Sequence, residues 1–316
     1  MKKKLFLHQH PDFKDICEVA RERYKASIQI VEKDYWVMHA IWSLANSGYK
    51  FELKGGTSLS KGWKLISRFS EDVDIHIHPP KDLKVYSGRN HDKASHKESR
   101  SQFYNWLVDN LKIDGALSIT RDLAWEDHDI RNCGIAIEYP SVFDKSSIIK
   151  PHILLEVGFA QVEPNEMLSI SSWVNDIAES AQLDVVDNRA KNIKCYLPEY
   201  TFVEKLSAIS KKFKQQQENK ILPQNFIRHY YDVYQLLGTD RIQKFIGTKE
   251  YFEHKEKMFK DAAEIFLNND QAFLLEDLET RKLYEQTYIN KEGLYYSERP
   301  TFEEILARIL EQSIRL

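Results

Sequence analysis

Residues 72–78, Asp-Val-Asp-Ile-His-Ile-His, alternate polar and apolar with period two, the pattern of a strand with one face in a core and the other outside it. The run narrows what the chain can fold into. Val73, Ile75 and Ile77 must be covered by other apolar elements, while Asp72 and Asp74 share the opposite face, about 7 Å apart on a strand rising roughly 3.3 Å per residue. Two carboxylates that close repel unless a cation lies between them. Hard divalent ions prefer oxygen ligands and keep phosphate oxygens and waters in their shell. His76 and His78 continue the same face, with a solvated strand end as their expected place.

Upstream, Phe51 to Lys54 is short and half apolar and ends in Gly55-Gly56. Paired glycines reach backbone angles that residues with a Cβ resist, so a phosphate can approach main-chain N–H groups there. Thr57 and Ser58 read as a helix N-cap. Leu59, Trp63 and Ile66 recur on one face of a predicted helix from Ser58 to Ile66, whose N-terminal donors and dipole favour an anion. A glycine turn beside a D-x-D pair points to a metal–triphosphate site, with Gly55, Gly56, Thr57 and Ser58 at the phosphates and Asp72 and Asp74 at the metal.

K-G-G-T-S-L (Lys54 to Leu59) followed by R-F-S-E-D-V-D (Arg68 to Asp74) resembles the nucleotidyltransferase toxins of the AbiEii/AbiGii group, which include the MenT toxins, within the polymerase-β-like nucleotidyltransferase superfamily. The likeness continues in V-E-K-D-Y-W (Val31 to Trp36), E-K-L-S-A-I (Glu204 to Ile209) and R-H-Y-Y-D (Arg228 to Asp232). From about Arg241 no motif is recognisable. One departure is Thr57 after the second glycine, where glycine-serine is common, a mild change in an N-cap role.

The resemblance implies an α+β fold. Its N-terminal part, residues 1–195, would be a polymerase-β-like domain with a mixed sheet flanked by helices, and a mainly α-helical C-terminal domain, residues 196–316, would complete the nucleotide cleft. It implies an NTP-dependent nucleotidyltransferase that uses Mg²⁺ or Mn²⁺ and passes NMP to an acceptor, tRNA or other RNA, acting as a cytoplasmic toxin beside a cognate antitoxin in an abortive-infection system.

The superfamily pattern also calls for a third carboxylate on a neighbouring strand, for which Glu156 and Glu138 compete. Glu156, within the apolar run Ile153 to Phe159, is preferred as a catalytic and metal-binding residue with Asp72 and Asp74, because a carboxylate inside such a strand needs a partner. Glu138 runs into Pro140 and reads as a strand-end surface residue. By resemblance, Lys205 faces the nucleotide phosphates as a mobile point charge, Asp232 orients Lys205 or the nucleotide, and Arg228 holds Asp232 or a phosphate. The residues alone leave Lys205 as a solvent-facing helix lysine and Arg228 and Asp232 as an i,i+4 pair. Lys54, Lys61 and Arg68 are further possible phosphate neighbours. Glu32, Lys33 and Asp34 alone read as a solvated first helical turn, whereas the resemblance assigns that block to support of the site. Two other readings stay open: a nucleotide-binding sensor or partner module without turnover, and a metal-dependent nuclease.

A chain of 316 residues is long for one domain and has ample material for a core. Its net charge of −3 does not mark a nucleic-acid binder, although local basic patches can still serve one. Cys17, Cys133 and Cys195 form neither a disulfide framework nor a zinc pattern and are expected to be reduced thiols. The basic start lacks an apolar run of signal-peptide length; no window approaches a membrane span.

Helices are expected from Pro11, from about Ile30 to Ser47-Gly48, from Ser99 to Leu111, from Pro198, from Pro223, over residues 250–266, and from Thr301 with a capping box to Glu304. Strands are expected at residues 117–120, 134–139, 153–159 and 183–187, with 169–175 irregular. Residues 125–129 carry several acids and a histidine without regular spacing, and a turn is preferred there over a metal site.

Overall fold

The apolar faces of Val73, Ile75 and Ile77 and of Ile153, Leu155 and Val157 are sealed from solvent, as period-two runs in a half-covered sheet require. The computed structural model describes residues 4–88, 90–144, 149–160, 162–223, 225–259 and 267–316. They fall into two units, one running to Lys64 and from Arg68 to Tyr196, the other comprising Leu65–Ser67 and Leu197–Leu316.

The first unit is built on a seven-stranded sheet: β1 (Phe51–Lys54), β2 (Asp72–Ile77), β3 (Ser118–Asp122), β4 (Asn132–Glu138), β5 (Ile153–Gly158), β6 (Asn165–Ile170) and β7 (Ala190–Tyr196). Their order is β3-β4-β5-β2-β1-β7-β6. β2 runs parallel to β5 and β1 parallel to β7, while the remaining pairs are antiparallel. This is a mixed sheet in an α+β protein. β6 ends at Ile170, inside the stretch 169–175 expected to be irregular, and a helix begins there at Trp173, while β7 was not expected; residues 183–187 form no strand, only an isolated bridge from Val185 to Leu5.

Helices α1 (Phe13–Tyr24), α2 (Ile28–Asn46), the single turn α3 (Gly55–Thr57), α4 (Ala94–Asn110) and α5 (Trp173–Ser180) complete the first unit. α2 starts at Ser27, whose hydroxyl accepts from the Ile30 N–H, and it is buried on nearly every side. A helix so enclosed must satisfy its charges internally.

The second unit is helical: α6 (Pro198–Asn219), α7 (Arg228–Leu237), α8 (Asp240–Phe245), α9 (Lys249–Met258), α10 (Gln271–Leu274), α11 (Leu278–Ile289) and α12 (Phe302–Gln312). α6 has Pro198 in its first turn and ends at Lys220 in the left-handed region; Phe202, Leu206 and Ile209 form its buried stripe. α7 begins at Arg228, several residues beyond Pro223. The expected helix over 250–266 is observed as α9; its part at 260–266, like Gln224 near the expected start at Pro223, lies outside the described residues. α12 opens with the reciprocal Thr301–Glu304 capping box. Among the described residues no helix is long and apolar enough to cross a membrane.

Candidate active site

Register decides which side chains meet on the polar face of the sheet. Asp74 is the Cα partner of Glu156 on β5 and of Lys54 on β1. Adjacent strands lie about 4.8 Å apart and register partners project to the same face, so Lys54, Asp74 and Glu156 form one row. All three are half-buried. Asp72 lies one step along the same face opposite Leu154 and is almost fully buried. Glu138 pairs with Ser118 and is exposed at the end of β4.

The glycine turn is pressed against this row. Gly55 has φ +67°, and a Cβ there would fall on the Asp74 carboxylate; one on Gly56 would meet Ser70 Oγ and the Arg68 guanidinium. The absence of both Cβ atoms lets the backbone approach the acid. Thr57 Oγ1 donates to the Asp72 carbonyl at 2.9 Å, tying the turn to β2, and Ser58 is fully buried. The expected N-cap differs. The helical turn starts at Gly55 itself, Lys54 occupies the cap position without a side-chain bond, and a π-helical turn over Ser58–Gly62 follows. Lys64, at φ +56°, ends the helical run before Ile66. What the turn offers a ligand is its backbone.

The charges that open α2 are not solvated: Glu32, Lys33 and Asp34 are 1%, 0% and 0% exposed. Glu32 accepts from Ser141 Oγ and the Val142 N–H at 2.5 and 2.7 Å. Lys33 Nζ donates to the Lys150 carbonyl at 3.0 Å. Burial pulls its ammonium down to about 8, against the opposing pull of Glu71 and Asp72. Asp34 accepts from the Trp173 N–H at 2.9 Å and pairs with Lys61 Nζ at 2.6 Å. Lys61 also lies over the Trp173 ring at 4.0 Å, so it braces the turn from beneath and is no phosphate neighbour. Arg68 is likewise buried, donating to the Phe69 carbonyl at 3.2 Å.

Lys150 was not singled out by the sequence. Its Nζ lies 3.1 Å from Asp72 Oδ1 and 4.4 Å from the centre of the Trp125 ring, while its N–H donates to Glu71 at 3.0 Å. Trp125 covers Gly134, where a Cβ would clash with it, and Gly134 is the register partner of Glu156. The neighbouring acids form a turn, as expected: Asp127 accepts from the N–H groups of Asp129, Arg131 and Asn132. No local pattern marks Lys150 or Trp125: Lys150 lies just before β5, and Trp125 in the turn between β3 and β4.

Beyond Asp74 on the same face, Glu52, His76 and His78 bring three ligating atoms within 4.8 Å of one another, and among the described residues they are the group of three or more that does so. Asp72, Asp74 and Glu156 do not converge that closely. They nonetheless fit a hard cation: three carboxylates share one face, two in direct register, and a cationic ammonium already sits at Asp72. His76 is not at a solvated strand end, since its side chain is 16% exposed and its Nδ1 lies 3.2 Å from Glu52. Burial raises the Glu52 carboxyl, but hydrogen bonds and charge from both histidines outweigh this and hold it at about 2.

In the second unit, Lys205 Nζ lies 2.6 Å from Asp232 Oδ2, with both side chains buried. Asp232 thus pairs with a lysine on α6. Arg228 opens α7.

None of the curated proteins matches the chain. Over residues 36–308 it matches the family described as the nucleotidyl transferase AbiEii toxin of a type IV toxin–antitoxin system. The matched span holds the glycine turn, the D-x-D strand, Glu156, Lys205, Arg228 and Asp232, and it continues through most of the region after Arg241 that carries no recognisable motif. A sheet that sets two aspartates and a glutamate beside a double-glycine turn, in a chain matched over most of its length, makes this protein a member of the AbiEii family of nucleotidyltransferase toxins of toxin–antitoxin systems.

Proposed function

We propose that the protein transfers the NMP moiety of an NTP to an RNA acceptor, with tRNA the leading candidate, and that this modification arrests growth until a cognate antitoxin neutralises it. The observation that carries the reading is the direct register of Asp74 with Glu156 beside Gly55. In this reading the backbone N–H groups of residues 55–58 face the triphosphate and Lys54 adds positive charge next to Asp74. Asp72, Asp74 and Glu156 hold Mg²⁺ or Mn²⁺, which supplies charge neutralisation at the α-phosphate and at the departing pyrophosphate when bound. Glu156 orients the acceptor hydroxyl and takes its proton as the new P–O bond forms and the bond to pyrophosphate breaks. Lys205, which lies 2.6 Å from Asp232, and Arg228 enter on the family pattern alone as phosphate-binding cations. Trp125, over Gly134 and next to Glu156, offers an aromatic surface on the acceptor side.

The test is incubation of the purified protein with Mg²⁺, each α-³²P-labelled NTP in turn and total tRNA, beside Asp74→Asn. Label entering RNA with wild type alone names the nucleotide and supports transfer. Shortened RNA points to a nuclease. Intact, unlabelled RNA with nucleotide bound points to a binding module.

A further inference from the structure

The second cluster on the polar face has the makings of a metal centre separate from the carboxylates at Asp72, Asp74 and Glu156. Glu52 of β1 is the register partner of His76 of β2, and His78 follows two residues on along the same face. Glu52 Oε2 lies 3.2 Å from His76 Nδ1 and 2.7 Å from His78 Nε2. The two rings lie 4.5 Å apart at 40°. Two imidazoles and one carboxylate are a donor set for a borderline transition ion rather than for Mg²⁺ or Ca²⁺, which favour all-oxygen shells.

The spacing suits such an ion. Tetrahedral coordination with bonds of about 2.1 Å separates neighbouring ligand atoms by about 3.4 Å. Both separations from Glu52 Oε2 fall short of that by less than about 1 Å, and all three ligand atoms lie within 4.8 Å of one another, offsets that small side-chain rotations close. Lys194 Nζ sits 3.3 Å from the other oxygen, Oε1, where it can hold the carboxylate from outside, as outer partners of metal ligands do. Glu52 forms a buried floor, 4% exposed, while the His78 side chain is 46% exposed and opens the cluster to incoming ions.

We propose that Glu52 Oε2, His76 Nδ1 and His78 Nε2 bind one divalent transition ion of the zinc class, leaving a fourth position for water or a substrate oxygen. Such an ion clamps β1 to the end of β2.

The experiment uses the full chain carrying Asp72→Asn and Asp74→Asn, stripped with chelator and desalted, so that the neighbouring carboxylates do not compete. Zn²⁺ is titrated by calorimetry and Co²⁺ by its visible absorption, with thermal melting alongside. The expected result is one equivalent of Zn²⁺ at micromolar affinity or tighter, an absorption band of tetrahedral Co²⁺, and a higher melting temperature with zinc. Adding His78→Ala, at an exposed position that leaves the core intact, should weaken binding at least 30-fold and remove the band. No zinc binding in the parent, or equal binding with and without His78→Ala, overturns the assignment and leaves the cluster as a hydrogen-bonded His–Glu–His group. None of these readouts depends on nucleotidyl transfer.

Discussion

Lys61 Nζ lies 2.6 Å from Asp34 Oδ1 in a pocket where the two side chains are 9% and 0% exposed, joining the buried helix α2 to the π-helical turn that follows the glycine pair. Burial pushes the Asp34 carboxyl up and the Lys61 ammonium down, and each charge counters the shift of the other. Removing one partner strands the other. Asp34→Ala is expected to cost about 3–5 kcal/mol of stability, while Asp34→Leu combined with Lys61→Met recovers most of it. Chemical denaturation of the three proteins checks this; equal losses in the single and double variants would count against a buried ion pair.

Gly55 and Gly48 both have positive φ, but only Gly55 faces another group. Gly48→Ala should cost about 1–2 kcal/mol through backbone strain alone and leave transfer intact. Gly55→Ala adds a collision with the Asp74 carboxylate and is expected to lower transfer at least 100-fold. Steady-state rates beside denaturation midpoints separate the two effects.

The Lys150 ammonium at 3.1 Å from Asp72 competes with any cation bound there. A doubly charged ion bound to Asp72 about 5 Å from that ammonium is repelled by about 1.7 kcal/mol in water-like dielectric, a factor on the order of ten in affinity. Lys150→Met should therefore lower the Mg²⁺ concentration for half-maximal transfer by about tenfold. An unchanged or higher requirement would mean that Lys150 serves the nucleotide and not Asp72.

His39 is buried and held neutral. Its Nδ1 faces the Asn188 amide at 2.9 Å and its Nε2 the Asp114 carbonyl at 3.0 Å. Burial first, then the neighbouring His8, lower its pKa from 6.5 to about 4. Because the folded value is depressed, the unfolded chain binds the extra proton between those values. The stability from this group is complete above pH 6.5 and is lost as pH falls towards 4, by about 3 kcal/mol. His39→Gln should flatten the stability profile over that window relative to wild type in urea titrations, and an unchanged slope would exclude His39 as its source.

The strands and helices that stand out in the sequence are those with a long, clean period: β2, β5, α2, α6 and α12. β6 and β7 were missed because their apolar residues are sparse and their pairing supplies what their own pattern lacks. The start of α2 misled in the opposite sense. Glu32, Lys33 and Asp34 look like a solvated turn, but their partners Ser141, Lys150 and Lys61 lie on other elements, and no local window contains both members of a buried pair.

The same contrast runs through the site. Alternation alone put Asp72, Asp74, His76 and His78 on one face, and the adjacent glycines alone announced a tight backbone approach, because side-chain direction and backbone freedom are properties of a few consecutive residues. Only the tertiary structure set Glu156 opposite Asp74, placed Lys150 at Asp72, turned Lys61 inward to Asp34 and gathered Glu52 with the two histidines. Those relationships depend on the register between strands far apart in sequence, which is fixed by closing the hydrogen-bond ladder while burying one face of each strand.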